Sequence, residues 1–299
     1  MSYCLLVNPA SGGGAAVEAV VPVARHLRDA GATVEVTYSP GPRATSDLVA
    51  IAAARGDTVV SVGGDGMLSS LAGEVARHGG TLGIVPAGRG NDFARMLGLP
   101  GDSRGLADVL LAGRTRTVDL VSWTGGEGPA RVVAGSVYAG VDARASETVD
   151  RLRRLPLAAQ YPLAAVHALA TYSPGHYRIV VDGRAQQHLA ATVVVANSAF
   201  YGKGMRIAPD ARLDDGLLDV VVIAAASRRG LVRSLPTVYD GRHVDLDEVT
   251  VLRGRRVELS AEAGRPVPVG GDGEPVGVLP GPATPAVVEV LPGALTVLA

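Results

Sequence analysis

The sequence predicts an α/β fold in which a parallel-sheet domain is followed by an antiparallel β domain. Short apolar segments alternate with amphipathic segments through residues 1–121, which is typical of a parallel sheet covered on both faces. After a Gly-rich loop at 122–129, short β-rich stretches are separated by turn dipeptides. We place the first domain at residues 1–122 and the second at 123–284. The final segment, 285–299, could join either domain.

Strands and helices alternate regularly in the predicted first domain. In the first helix, Val17, Val20 and Ala24 recur at helical spacing, and Gly31 ends the pattern. Apolar runs bounded by Gly, Pro or polar residues predict strands at 3–7, 33–37, 58–62, 81–86 and 115–121. Amphipathic spacing predicts helices at 15–30, 44–54, 67–77, 91–97 and 103–112.

The second domain is predicted to be mainly β. Turn dipeptides such as Asp182-Gly183 separate its apolar stretches, as is typical of antiparallel strands. The predicted strands are 130–136, 177–181, 190–196, 217–223, 249–252, 256–260 and 287–291. A helical insert is predicted at 148–172, with basic residues at 151, 153 and 154. The arginines either meet anionic lipid headgroups or form a solvated helical face. The apolar stretch 157–170 either touches a membrane surface or is an ordinary buried helix.

Composition excludes several classes of protein. The 28 basic and 29 acidic residues give a net charge of -1, which argues against a nucleic-acid-binding protein. Cys4 is the single cysteine, so the chain has no intramolecular disulfide, and a reducing cytoplasm fits this composition. Lys203 is the single lysine and lies outside any G-x-x-x-x-G-K-[ST] pattern, so a Walker A loop is also excluded.

Three Gly-rich loops follow predicted strands, at residues 8–14 (NPASGGG), 63–66 (GGDG) and 86–92 (PAGRGND). In an open parallel sheet they would meet at the carboxyl edge, where ligands bind. Glycine backbones expose N–H groups and helix N-termini add partial positive charge, so such loops bind phosphate without a lysine. One loop alone is more simply a tight turn, but three together favour a phosphate site. Asp65 beside phosphate implies a bridging cation or a hydroxyl partner.

Acidic residues form two further candidate sites. Asp272 and Glu274 lie in GGDGEP, where one carboxylate can act as a base and the other can orient it or hold a metal. The alternative is a solvated hairpin turn. Asp214, Asp215 and Asp219 lie in DDGLLD, which is either a turn before a strand or an oxygen-rich site for a divalent cation.

In this order and spacing, the motifs NPASGGG, VVSVGGDGML, VPAGRGNDFAR, DARLDDGLLDVVV and GGDGEP resemble the diacylglycerol kinase catalytic family. The similarity is greatest to bacterial soluble lipid kinases, which are relatives of sphingosine kinases. The resemblance implies an NAD kinase-like α/β domain joined to an antiparallel β-sandwich domain, with ATP in the cleft between them. It also implies that residues 285–299 return to the first domain.

The resemblance further implies the residues that bind ATP. They are Asn8, Ser11, Gly12, Thr37, Gly63, Gly64, Asp65, Gly66, Met67, Leu68, Ser69, Gly88, Arg89, Asn91 and Asp92. The chain departs from the usual family pattern at Met67 and Ser69, which replace a threonine and an asparagine, and at Arg89, which replaces a threonine. Arg89 could supply a charged donor to phosphate, or it could point to solvent.

Catalytic and metal-binding roles are implied in the same way. Glu274 matches the proton acceptor, with Asp272 beside it, and Asp65 would organise the metal-bound phosphate. Mg²⁺ is the implied metal. Its structural site maps to the backbone carbonyls of Arg212 and Leu217 and the carboxylate of Asp215, with Asp119 in the same network.

The leading interpretation is an ATP-dependent lipid kinase that phosphorylates a hydroxyl of diacylglycerol or a related lipid. The alternatives are a kinase for NAD or a sphingoid base, and a nucleotide-binding regulator without turnover. No apolar run approaches the length of a membrane span, and the first residues do not resemble a signal peptide. We therefore expect a cytoplasmic protein that contacts the membrane surface transiently to reach its lipid substrate. A homodimer is left open.

Overall fold

Strands and helices alternate through the first half of the chain, as the sequence predicts. The computed structural model describes residues 1–39, 42–125, 128–144, 148, 167, 171–262 and 266–299. The strands are β1 (Ser2–Val7), β2 (Thr33–Tyr38), β3 (Thr58–Gly63), β4 (Thr81–Pro86) and β5 (Thr115–Thr124). The helices are α1 (Ala15–Asp29), α2 (Pro42–Ala54), α3 (Asp65–Arg77), α4 (Asp92–Met96) and α5 (Ser103–Ala112). The predicted α/β class is confirmed.

Strands β1 to β4 pair in parallel, and β1, β3 and β4 are largely buried on both faces. β1 pairs with β2 and β3, and β3 pairs with β4, so the carboxyl ends of these strands meet at one edge. Successive residues of a strand point to opposite faces. Leu5 accordingly packs in one core with Leu27 of α1, and Leu6 packs in the other with Leu71 of α3. Helices on both faces hold this edge and its loops in place.

The second half is mainly antiparallel β structure and also contains a helix of 13 residues. Its strands are β6 (Arg131–Val133), β7 (Ser136–Gly140), β8 (Gly175–Val181), β9 (Arg184–Ala196), β10 (Leu218–Ala224), β11 (Val249–Gly254), β12 (Arg256–Ala261), β13 (Pro268–Gly271), β14 (Glu274–Val278) and β15 (Ala286–Leu298). The helix is α6 (Arg228–Asp240). A separate core, which contains Trp123, Ile179 and Val220, lies between these strands. The predicted β-sandwich-like second domain is confirmed.

β15 belongs to both halves of the molecule. Its first residues pair antiparallel with β12 and β5, and its last residues pair parallel with β4, where Thr296 lies opposite Thr81. The pairing with β5 shifts register between Leu291 and Leu295, around Gly293, which has a φ of 58°. Glycine adopts this left-handed conformation without strain. The strand therefore bends there and links the parallel strands to the antiparallel strands within one continuous sheet.

Three regions differ from the sequence prediction or lie outside the description. α6 was not predicted, because Gly230 and Pro236 interrupt its pattern and Val238 is its one buried residue. The predicted strand 130–136 is divided into β6 and β7, because the backbone between them turns to bind a carboxylate. The predicted insert 148–172, with its three arginines and its apolar stretch 157–170, lies largely outside the described residues. Across the described chain, no helix is both long and apolar enough to span a membrane.

Candidate active site

The three Gly-rich loops meet at the carboxyl edge of the parallel sheet. The Gly64 N–H donates to Ser11 Oγ over 3.2 Å, which joins the second loop to the first. The Ala87 N–H donates to the carbonyl oxygen of Gly63 over 2.7 Å, which joins the third loop to the second. The structure thus brings together the loops that the sequence places at one edge.

Two glycines are required where these loops touch. A Cβ on Gly88 would lie 2.3 Å from Cα of Gly64, and a Cβ on Gly12 would lie 2.6 Å from the carbonyl oxygen of Ala87. Gly12 also has a φ of 62°, which side chains rarely adopt. Because the obstacle is backbone in both cases, a side chain could not be accommodated by rotation. The amides of the three loops consequently lie close enough to bind one ligand.

The second loop leads directly into α3. Its four residues, Gly63 to Gly66, span the end of β3 and the first turn of the helix. The side chains of Met67 and Leu68 pack in the core with Leu71, so the backbone rather than these side chains is available to a ligand. The first amides of a helix and its dipole together form an anion-binding site. The start of α3 is therefore the most suitable phosphate-binding element of the edge.

The third loop is fixed by its own asparagine and by the second domain. Asn91 Oδ1 accepts from the Gly88 N–H (2.8 Å), and Asn91 Nδ2 donates to the Gly88 carbonyl (3.2 Å). The carboxylate of Asp92 accepts hydrogen bonds from the N–H groups of Lys203 (3.0 Å) and Gly204 (2.6 Å). Arg89 lies exposed within this loop. The loop therefore connects the two halves of the chain beside the phosphate-binding edge.

Asp65, the first residue of α3, lies among other carboxylates. A Cβ on Gly90 would touch both Asp65 Oδ2 and Asp92 Oδ2, at 2.9 and 3.0 Å. Burial, and then the negative charges of Asp272 and Asp92, raise the pKa of Asp65 to about 6. The described residues contain no cluster of three acidic, His or Cys side chains placed as a metal cage. The excess negative charge fits a Mg²⁺ that takes most of its ligands from nucleotide phosphates and water.

Asp272 holds backbone amides in place. Its Oδ1 accepts from the N–H groups of Gly135 (3.1 Å) and Ser136 (2.9 Å), and its Oδ2 accepts from the Ala134 N–H (2.9 Å). The hydroxyl of Ser69, on α3, also donates to Oδ2. These bonds join α3, the 134–136 turn and the β13–β14 hairpin. Because both of its carboxylate oxygens accept hydrogen bonds, Asp272 holds the hairpin in position against α3 and the 134–136 turn. Ser69 donates one of these hydrogen bonds.

Glu274 lies on the other side of the same hairpin turn. The turn has positive φ at Asp272 (45°) and Gly273 (88°), and β14 begins at Glu274. A Cβ on Gly66 would lie 2.8 Å from Glu274 Oε1, so this carboxylate lies over the first turn of α3. Glu274 is exposed, whereas Asp272 is half-buried. Of the two, Glu274 is the one that a substrate can reach.

The first loop is ordered by Asn8 and flanked by the edge strand. The Asn8 N–H donates to the Val62 carbonyl (3.1 Å), and Asn8 Oδ1 accepts from the Ala10 N–H (3.1 Å). Thr37 lies near the end of β2, opposite Leu6 of β1, the strand that leads into this loop. Thr37 therefore lies beside the first loop, at the outer end of the edge.

Asp119, predicted to belong to a magnesium network, binds backbone amides. Its Oδ2 accepts from the Gly216 N–H and its Oδ1 from the Gly293 N–H, both at 2.7 Å. The Asn197 side chain donates to its carbonyl oxygen (2.9 Å). Asp119 thus joins β5 to the turn before β10 and to the bend in β15. Each carboxylate oxygen of Asp119 therefore accepts a backbone N–H, and its place in a metal network stays a prediction.

One member of the predicted structural metal site, Asp215, forms an ion pair with an arginine. Arg253 Nη2 lies 2.6 Å from Asp215 Oδ2, and Asp215 Oδ1 accepts from the Leu217 N–H at 3.0 Å. Arg253 Nε lies 3.1 Å from Asp219 Oδ1, because the two residues are directly opposite in the β10–β11 pair. The guanidinium already balances these carboxylates. A divalent cation held by the carbonyls of Arg212 and Leu217 and the carboxylate of Asp215 stays a prediction.

Sequence reasoning missed several groups that shape the site. Asn197 is fully buried, and its Nδ2 donates to the carbonyls of both Asp119 and Ala134. The signal available was a polar residue directly after the long buried run of β9. The amides of Lys203 and Gly204 gave no such signal, because backbone groups do not appear in a side-chain pattern.

Amide-rich loops at the carboxyl edge of a parallel sheet, opposite an acidic cluster and an exposed carboxylate, define a site for transfer of a phosphoryl group from a nucleotide. Residues 2–123 match the family described as diacylglycerol kinase catalytic domain. Residues 135–299 match the family described as YegS C-terminal NAD kinase beta sandwich-like domain.

Curated relatives and solved structures agree with these matches. The chain is 34% identical over 298 residues to a diacylglycerol kinase of Mycobacterium tuberculosis, with 98% of this chain and 93% of the relative covered. It is 25% identical over 228 residues to a diacylglycerol kinase of Bacillus subtilis, covering 75% and 73%. A crystal structure of a diacylglycerol kinase from Bacillus anthracis has the same fold, with a TM-score of 0.69 at 19% identity and coverage of 99% and 96%. The chain belongs to the diacylglycerol kinase family and is an ATP-dependent lipid kinase, a phosphotransferase with an alcohol group as acceptor.

Proposed function

We propose that this kinase transfers the γ-phosphate of ATP, bound with Mg²⁺, to the free hydroxyl of diacylglycerol. The observation that carries the proposal is the position of Glu274. Its carboxylate lies over the start of α3, where the three Gly-rich loops meet. Relatives named diacylglycerol kinase support diacylglycerol as the acceptor.

The loops would bind the nucleotide through backbone groups. Amides of the first turn of α3 and of the adjoining loops would bind phosphate oxygens, with the helix dipole favouring their negative charge. Mg²⁺ bound with ATP supplies neutralisation of the charge that develops on the transferred group. Asp65 would face that cation, whose charge would offset the burial and the neighbouring carboxylates that raise the pKa of this carboxyl.

Glu274 would accept the proton of the lipid hydroxyl. As the hydroxyl oxygen forms its bond to the γ-phosphorus, the bond to the oxygen bridging the β- and γ-phosphates breaks and ADP leaves. The proton passes to Glu274, and the products are ADP and a lipid phosphate. Asp272 keeps this turn in position through the amides of residues 134–136.

The substrate implies where the enzyme works. Diacylglycerol resides in the bilayer, so we further propose a cytoplasmic enzyme that contacts the membrane surface transiently during turnover.

Substitution of Glu274 by glutamine tests the assignment with radiolabelled ATP and diacylglycerol in mixed micelles. Loss of a general base lowers rates by about 10²- to 10⁴-fold, so kcat should fall by that range while KM for ATP is unchanged. Glu248→Gln, at an exposed turn, is the matched control and should retain full activity. Full turnover of Glu274→Gln would refute the role of Glu274. Labelling of NAD or a sphingoid base in preference to diacylglycerol would refute the acceptor.

A further inference from the structure

Helix α6 exposes apolar side chains along one face. Val232, Leu235 and Tyr239 are 53%, 49% and 53% exposed. Their spacing of three and four residues places them in one row on the helix. Val238 is the residue of this helix that is buried. Large apolar side chains grouped in this way on a surface indicate an interaction site.

Basic side chains lie beside the first part of this apolar row. A shallow groove is lined by Arg228, Arg229, Val232 and Arg233. The acidic residue of the helix is Asp240 at its end, and its carboxylate pairs with the neighbouring Arg242 at 2.6 Å. The exposed face therefore combines apolar side chains with positive charge. This combination is typical of helices that lie in a membrane interface containing anionic lipid.

The inner side of α6 is connected to the active site. The carbonyl oxygen of Val238 accepts a hydrogen bond from the Arg206 N–H (2.8 Å). Arg206 ends a short segment whose Lys203 and Gly204 amides bind the carboxylate of Asp92. One short loop thus separates the helix from the acidic cluster beside Asp65. A partner bound to the exposed face of α6 would therefore be linked to Asp92 through this loop.

We propose that the exposed face of α6 docks on the surface of an anionic phospholipid bilayer. The proposal rests on the proposed function, because the diacylglycerol acceptor resides in such a bilayer. Arg229 and Arg233 pair with lipid phosphates, Val232 and Leu235 insert shallowly, and Tyr239 lies at the headgroup level. The arginines favour lipid over a protein partner, since a bilayer offers a continuous field of negative charge to a convex helix.

Vesicle co-sedimentation tests the proposal. Wild type should bind phosphatidylglycerol–phosphatidylcholine vesicles and bind pure phosphatidylcholine vesicles far more weakly. Each cationic side chain near an anionic surface contributes about fivefold in partitioning, so Arg229→Gln with Arg233→Gln should weaken binding by about 25-fold. Val232→Ser with Leu235→Ser should weaken it on both vesicle types. Equal binding of wild type to neutral and anionic vesicles, or unchanged binding by both variants, would overturn the proposal.

A matched control uses another exposed helix. Val21 and Arg25 of α1 are also exposed, and Val21→Ser with Arg25→Gln should leave vesicle binding unchanged. Light scattering gives the oligomeric state. If the α6 variants dissociate a wild-type dimer while vesicle binding is unchanged, the face instead binds a second copy of the chain and the proposal is wrong.

Activity separates this proposal from the proposed function. On a short-chain diacylglycerol dissolved as monomers, the α6 variants should turn over as wild type does. On diacylglycerol in anionic vesicles they should lose activity in proportion to binding. If wild type phosphorylates neither form but still binds anionic vesicles through α6, the acceptor assignment fails and the docking surface stands.

Discussion

Replacement of Asp65 by asparagine is expected to stabilise the ligand-free protein while abolishing phosphoryl transfer. In the fold, burial and the neighbouring carboxylates raise the pKa of Asp65 from 3.8 to about 6. Between these values the folded chain holds a proton that the unfolded chain releases. Stability therefore falls as pH rises through this window and stays lower above it. Asparagine does not ionise, and its side-chain oxygen can keep the hydrogen bond from the Phe93 N–H.

The size of the effect follows from the pKa. Each pKa unit corresponds to about 1.4 kcal/mol, so the whole shift corresponds to about 3 kcal/mol in the free energy of unfolding above pH 7. At about 2 °C per kcal/mol for a chain of this size, Tm of Asp65→Asn should exceed that of wild type by about 6 °C. Near pH 4 the folded wild type is protonated at Asp65, and the difference should become small.

Thermal melts at a series of pH values between 4 and 8 measure this difference. Asp247→Asn removes the same charge from an exposed turn and should leave Tm unchanged at every pH. The radiolabelled-ATP assay of Asp65→Asn should show no transfer. Equal melting temperatures at pH 7.5, or a stabilisation that does not depend on pH, would refute the electrostatic account of Asp65.

Three other substitutions test separate parts of the structure. Gly88→Ala forces a Cβ against the backbone of Gly64. It should cost about 1–3 kcal/mol of stability in thermal melts and raise KM for ATP in initial-rate assays. Unchanged stability and KM would contradict the contact between the loops. Asp272→Ala leaves the amides of residues 134–136 without their carboxylate and should cost about 3 kcal/mol in a urea titration; unchanged stability would contradict the role of these hydrogen bonds. Arg253→Ala should lower the free energy of unfolding by about 1–3 kcal/mol at pH 7.5 and by less at pH 5. Burial raises the pKa of Asp219 to about 6, so at pH 5 its carboxyl is protonated and no longer pairs with Arg253. Thermal melts that give the same loss at both pH values would contradict the ion pair.

Local patterns in the sequence were sufficient to predict the first domain. Its strands are short apolar runs between glycines, and its helices carry a clear apolar face, so both periodicities are strong. The three loops could be placed at one edge because parallel strands present their carboxyl ends together. α6 could not be predicted, because its exposed face is apolar and its buried contact is confined to Val238.

The roles of individual acidic residues were harder to predict. Asp272 and Glu274 are one residue apart, yet one binds three amides and the other is exposed. Asp272 and Asp119 accept hydrogen bonds from backbone N–H groups that are distant in sequence. Such partners cannot be predicted from a pattern of side chains. Arg253 was missed for a related reason. It reaches Asp219 through the register of β10 and β11, which depends on the whole sheet.

The path of β15 determines when the enzyme can complete its folding. One edge of β4 pairs with residues 296 and 297 of β15. A nascent polypeptide that has been synthesised only as far as β5 therefore still has an unpaired edge at β4. Unpaired edges promote association between chains, and contacts between distant residues form slowly. A fragment that stops before β15 should therefore aggregate instead of forming a usable nucleotide-binding unit. During synthesis, the interval before the last strand emerges is when this protein most needs protection.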